Sequence, residues 1–244
     1  MKKTVSLPNQ KPFIDIFREL SYRHSPWNVW QDFVIMSACA LSNSIDKSHY
    51  DEREALYMEK ISKYNEKERE LFPKLLAEMV IALDENPDQD YLGELYMALN
   101  MGNEGIGQIF TPYHVCKLMA KVTIGNATEQ INENGYITIN DCACGAGATL
   151  IAGVNEIREQ LEKSENKLNF QNHVLVTAQD IDYTVALMCY IQLSLLGIAG
   201  YIKVGDSLAD PMRAGDSTEN YWFTPMYFSP VWTTRKLIRS GTLL

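Results

Sequence analysis

The sequence predicts an α/β fold, parallel strands preceded by a helical segment, on three observations. Apolar residues recur at three- and four-residue steps through the first hundred positions. Beyond them, short β-type runs alternate with helical patterns. Three of those runs lead into an acid: Asp141, Asp180 and Asp206. With 244 residues, 46% hydrophobic and 22% charged, the chain can build a core, and wholesale disorder is excluded. The predicted division is a helical domain over 1–100 and an α/β domain over 101–244.

In the first half, Ser25-Pro26-Trp27 is a helix start, with Ser25 placed to cap free amides and Pro26 where a missing N–H costs nothing. Trp27, Trp30, Phe33, Val34, Ala38 and Leu41 then form one apolar face. A polar helix from Tyr50 to about Asn65 carries a thin stripe of Leu56, Ile61 and Tyr64. A second stripe, Leu71, Leu75, Met79 and Leu83, ends at Asp84-Glu85-Asn86-Pro87. Pro73 belongs in its first turn, because an interior proline costs about 3 kcal/mol. A short helix from Tyr91 to Leu99 closes this half. The tryptophans read as core, and Glu66-Lys67-Glu68-Arg69-Glu70 as a solvated surface.

Gly102, Gly105 and Gly107 then punctuate a loop, and Thr111-Pro112 opens a helix carrying Val115, Leu118, Met119 and Val122. Tyr136 to Asp141, Val174 to Ala178 (ending at Gln179-Asp180) and Tyr201 to Gly205 are the strands, with helices from about Ala148 to Leu161 and Tyr183 to Leu196 between them. Strand, helix, strand, helix, strand implies parallel pairing with right-handed crossovers.

Ligands of such sheets gather at the carboxyl ends of the strands. Asp141-Cys142-Ala143-Cys144-Gly145-Ala146-Gly147-Ala148 joins the first strand to its helix, and Gly145 and Gly147 let backbone amides approach a ligand. Asp180, on the next strand, is placed to accept hydrogen bonds from ribose hydroxyls, and Asp206 to meet an exocyclic amine. A nucleoside across these ends would meet all three acids. Alone, each element reads as a turn or a helix cap; together in one βαβαβ unit they point to a site. No Lys-Ser or Lys-Thr follows Gly147, which argues against a phosphate loop, and the full Gly-x-Gly-x-x-Gly pattern is absent. Five scattered cysteines and four scattered histidines give neither a disulfide framework nor a metal signature.

The stretch from Asp141 to Leu150 resembles the cofactor-binding motif of adenine-specific N6 DNA methyltransferases, in particular the modification subunits of type I restriction systems. Cys142 stands where that family has proline. Gly107-Gln108-Ile109-Phe110-Thr111-Pro112 resembles the family's Gly-Gln-Phe-Phe/Tyr-Thr-Pro element, and Leu92-Gly93-Glu94-Leu95-Tyr96 the helix before it. The resemblance implies a Rossmann-like, S-adenosylmethionine-dependent methyltransferase core behind an N-terminal helical domain. The cofactor would meet Phe110, Thr111, Pro112, Asp141, Ala143, Cys144, Gly145, Gly147, Asp180, Ile181, Asp206 and Ser207, with no metal. Direct methyl transfer to adenine N6 would leave Cys142 and Cys144 as loop-packing residues.

The family's fourth strand ends in Asn/Asp/Ser-Pro-Pro-Tyr/Phe/Trp, which holds the flipped base. Here Phe228-Ser229-Pro230-Val231-Trp232 makes Ser229, Pro230 and Trp232 the candidate catalytic residues, with Val231 replacing the second proline. The same stretch, with Pro225 before it, also reads as an aromatic tail with another role. Only 12 residues follow Trp232, so the sheet is expected to be truncated: a degenerate methylase, a subunit completed by another chain, or a fragment. A protein that binds cofactor or a partner without transferring methyl is the alternative, and methylation of protein or RNA a third reading. DNA is the implied partner, with another subunit or recognition module and a homo- or hetero-oligomer in prospect. Arg235, Lys236 and Arg239 could contact phosphates, but three basic residues near a terminus are usually just solvated, and the formal charge is -9. With no signal-peptide pattern and no apolar stretch near the roughly 20 residues of a membrane helix, a cytoplasmic, reduced, non-membrane protein is expected.

Overall fold

The computed structural model describes residues 8–99, 110–164 and 167–239. The predicted glycine loop Gly102 to Gly107, with Gln108 and Ile109, lies outside the described residues.

Six helices come first: α1 (Lys11–Ser21), α2 (Pro26–Asn43), α3 (Tyr50–Ile61), the single turn α4 (Glu66–Arg69), α5 (Leu71–Glu85) and α6 (Tyr91–Ala98). Pro26 is the first residue of α2, as its fixed φ favours. The Ser25 side chain makes no capping bond, contrary to expectation; its carbonyl accepts from Val29 N at 3.0 Å. A full capping box starts α4, where Asn65 and Glu68 exchange side-chain and backbone bonds at 3.0 and 2.9 Å. Pro73 does sit in the first turn of α5, and Leu75, Met79 and Leu83 are buried on the predicted stripe.

The α/β half comprises α7 (Tyr113–Thr123), α8 (Ala127–Asn134), β1 (Ile137–Asp141), α9 (Ala148–Lys163), the turn α10 (Phe170–His173), β2 (Val174–Asp180), α11 (Tyr183–Leu195), β3 (Ala199–Val204), β4 (Tyr221–Phe223) and α12 (Pro230–Arg239). The sheet order is β1-β2-β3-β4, with β1, β2 and β3 parallel and β4 antiparallel to β3. This is the expected Rossmann-like core behind a helical region. The register puts Ile137 and Ile139 beside Val174 and Val176 on one face, and α9 and α11 both cover that face. The opposite face carries exposed Thr138 and Asn140.

Every residue of α11 from Thr184 to Ser194 is buried, because the helix lies between the sheet and α2. The buried side chains of both halves merge into one hydrophobic cluster running from Phe13 to Trp222. The α7 pattern is the exception. Leu118, Met119 and Val122 are 63%, 45% and 77% exposed, and the inward face is instead made by Cys116 and Ala120, small enough for close packing against Ala148 and Ala152 of α9.

Candidate functional site

The glycine loop between β1 and α9 is pinned to the end of β2 by two bonds. Cys144 N donates to Gln179 O at 3.0 Å, and Gly145 N donates to Asp180 Oδ2 at 2.8 Å. Asp180 Oδ1 accepts from Asp182 N at 3.0 Å, so the carboxylate that organises the loop also holds the residue whose Oδ1 caps α11 at Val185 N. Both glycines are required. Gly145 has φ +55°, and a Cβ there would stand 3.3 Å from the Phe110 ring. Gly147 has φ +97°, and its Cβ would meet Cys189 Sγ at 2.9 Å.

Beside this loop opens a crevice of about 240 Å³, and Phe110, Thr111, Ala143, Cys144, Gly145 and Asp180 all line it. The two predicted motifs therefore meet: Phe110 rests on Gly145 on one side and on Tyr96 on the other, ring centroids 5.1 Å apart. Asp90 and Thr149 also line the crevice. Pro112 lines an adjoining cleft of about 710 Å³, which shares Asp90, Phe110 and Thr111 with the first.

The remaining predicted contacts, Asp141, Gly147, Ile181, Asp206 and Ser207, do not line this space. Asp141 Oδ1 accepts from Ala143 N at 3.0 Å and shapes the loop. Ile181 is 70% exposed next to Asp180. Asp206, exposed beyond β3 with Ser207 after it, caps its own turn by accepting from Leu208 N at 2.8 Å and Ala209 N at 3.2 Å. Gly205 N donates to Asp180 O at 2.9 Å, so the second and third acids do lie at adjacent strand ends. Cys144 is buried, and its thiol is pushed well up by Cys189 and by desolvation, which keeps it a thiol. Cys142 is exposed rather than packed.

Ser229, Pro230 and Trp232 are not brought to the crevice. Because β4 runs antiparallel to β3, it carries the chain back to the amino ends of the strands, where Thr224 Oγ1 donates to Ile198 O at 2.8 Å. There Pro230 begins α12, and the buried Ser229 hydroxyl has no hydrogen-bond partner among the described residues. Trp232 is 3% exposed, donates Nε1–H to Gln171 O at 2.8 Å and packs edge-on against Tyr136. Gln171 and Tyr136 precede β2 and β1, so this trio lies at the opposite end of the sheet from Asp180. The aromatic-tail reading fits that position; the base-holding reading does not. Arg235 is also engaged, donating to Gly135 O at 2.9 Å and to Asn172 O, and Lys236 lies 3.8 Å over the Tyr227 ring.

Sequence reasoning missed Asp90 and Gln192. Asp90 is only 3% exposed and Gln192 is fully buried, yet an acid just before a helix reads as a cap and a glutamine in an apolar helix carries no signal of its own.

Among the described residues no helix is long and apolar enough to cross a membrane. The family model described as N-6 DNA Methylase matches residues 88–242. Among curated proteins, the chain is 32% identical over 118 residues to the "Type II restriction enzyme and methyltransferase RM.BcgI" of Heyndrickxia coagulans, a match covering 46% of this chain and 17% of that protein. The chain thus spans about one-sixth of that relative's length. No solved structure matches. The family model takes in the crevice, its loop and all four strands, and on that ground the chain belongs to the N-6 DNA methylase family.

Proposed function

We propose that the crevice beside Gly145 binds S-adenosylmethionine and that the chain serves methyl transfer to adenine N6 in DNA. One observation carries the cofactor reading: the Gly145 N to Asp180 Oδ2 bond, which fixes a glycine loop and an acid together at the carboxyl edge of a parallel sheet. The residues fit the group. Asp180 keeps lone pairs for ribose hydroxyls, Ile181 is exposed beside it for an apolar contact with a base, and Phe110 and Thr111 close the other side. Asp141, Ala143, Cys144 and Gly147 shape the loop, Pro112 leads away from it, and Asp206 and Ser207 stand at the third strand end. When bound, S-adenosylmethionine supplies a methyl group on a sulfonium centre, and this chain's part is to hold and orient it. In this reading residues 1–100 are a helical domain walling the crevice, and residues 101–244 the cofactor-binding domain of a cytoplasmic modification component like those of type I or type II restriction systems.

A second reading has a specific observation in its favour. With Ser229, Pro230 and Trp232 at the amino ends of the strands, no described loop beside the crevice presents the family's base-holding motif. The chain would then bind cofactor, or a partner subunit, and transfer methyl only with base-holding and DNA-binding groups supplied from outside the described residues. Calorimetric titration with S-adenosylmethionine, paired with labelled-methyl transfer to adenine-containing DNA with and without cell extract, separates the two. Binding with transfer by the chain alone supports the first; binding without transfer, or with transfer only in the presence of extract, supports the second; no binding overturns the cofactor reading and leaves only a partner-binding or structural role. Asp180→Ala should weaken the cofactor by tenfold or more, since hydrogen bonds to a charged group are worth about 1.5–3 kcal/mol.

A further inference from the structure

Asp90 precedes α6 and is 3% exposed. Its Oδ1 accepts from Gly93 N at 3.0 Å and from Gln192 Nε2 at 2.8 Å. Among the described residues, Oδ2 accepts no hydrogen bond and no Lys, Arg or His forms an ion pair with either oxygen. That oxygen belongs to a side chain bordering both the crevice and the adjoining cleft. The arrangement is built. Gln192 is fully buried, accepts from Leu92 N at 3.0 Å and donates to Ala146 O at 2.8 Å, so one amide locks Asp90 to the glycine loop. Gly93 makes room, since a Cβ there would lie 2.0 Å from Oδ2.

A buried carboxylate without a cation is costly and is ordinarily paired. Its acidic neighbour Glu94 deepens the deficit, for the Glu94 carboxyl is raised by its own burial and by Asp90. The ligand itself can supply the missing cation. Resting on the cofactor reading above, we propose that Asp90 Oδ2 accepts a hydrogen bond from the α-ammonium of S-adenosylmethionine and so fixes its amino-acid end in the crevice. An ammonium suits this oxygen because it brings both positive charge and N–H donors, whereas a sulfonium has no N–H to give. A divalent cation would need several oxygen ligands, and the described residues hold no such cluster.

The test compares the whole 244-residue chain with Asp90→Asn, which keeps the shape and the Oδ1 bonds. Calorimetry would use three probes: S-adenosylmethionine, S-adenosylhomocysteine (ammonium, no sulfonium) and methylthioadenosine (neither). The expected result is that Asp90→Asn weakens the first two alike, by about tenfold or more, and methylthioadenosine by less than about twofold. Unchanged affinity for S-adenosylmethionine and S-adenosylhomocysteine overturns the assignment and leaves the cofactor reading standing. So does weakening of S-adenosylmethionine alone, which would mean a sulfonium contact, or equal weakening of all three, which would mean a damaged pocket. If none of the three binds the wild-type chain, the cofactor reading falls and takes this one with it.

Discussion

Asp90 sets binding against folding. Desolvation pushes its carboxyl above the ordinary range, and the bonds from Gln192 and Gly93 only partly oppose this. The folded chain therefore holds that proton more tightly than the unfolded chain does, and the sign follows. The stability that this proton contributes is full below the unfolded carboxylate range, near pH ~4, and is lost as pH rises through the folded value. Asparagine cannot ionise. Without ligand, Asp90→Asn should match the wild type in acid and exceed it at pH 7.5, with roughly 2–4 °C in Tm for each kcal/mol recovered. Thermal unfolding from pH 4 to 8 checks this, and a gap that narrows with rising pH would contradict it. The places of Asp141, Asp180 and Asp206 at strand ends were legible because a strand end is visible in sequence. Asp90 was not, since the same letter before a helix can face water or a crevice, and only the packing of α11 decides which.

At the scale of elements, β4 and α12 show where local pattern stops informing. Three residues of strand carry no mark of direction, and the antiparallel turn sends Trp232 to the far end of the sheet. The one readable sign was Pro225, which suits the end of an edge strand. Trp232→Ala should cost about 3–5 kcal/mol, as loss of a buried aromatic does, while leaving affinity for S-adenosylmethionine unchanged. Denaturant midpoints and calorimetry on the same preparation test this. Lost affinity with intact stability would restore Trp232 to a role at the site. Helix α7 misled in another way: its large apolar residues face outward because Cys116 and Ala120 make the close contact, and small side chains weigh little in an apolar pattern.

At the scale of the molecule, the βαβαβ order, strand ends and amphipathic helices could be read directly, but how the halves join could not. Arg53 is an example. It is 4% exposed, bonds Asp46 Oδ2 at 3.0 Å, the Ser42 hydroxyl and Tyr221 O at 2.7 Å, and stacks 4.0 Å from the Trp222 ring. It thereby ties α3 to the last strand, across 168 positions of sequence. Arg53→Ala strips Tyr221 O of the Arg53 donor and leaves Asp46 only its bonds to Ser48 and His49, and should cost about 3–5 kcal/mol. Arg53→Lys should rescue little, because an ammonium cannot reproduce the planar fork or the stacking. Urea unfolding followed by circular dichroism measures both variants.

The Gln192 amide also limits how far the molecule can be dissected. It joins the loop carbonyl of Ala146 to Asp90 and Leu92, and α11, which carries it, is covered by α2. A fragment beginning at α7 would retain every glycine and acid of the Asp141–Leu150 motif while exposing a wet apolar helix and severing two of those bonds, to Asp90 and Leu92. Such a piece would carry the signature without the cavity, so excision at the obvious seam would destroy what it set out to isolate.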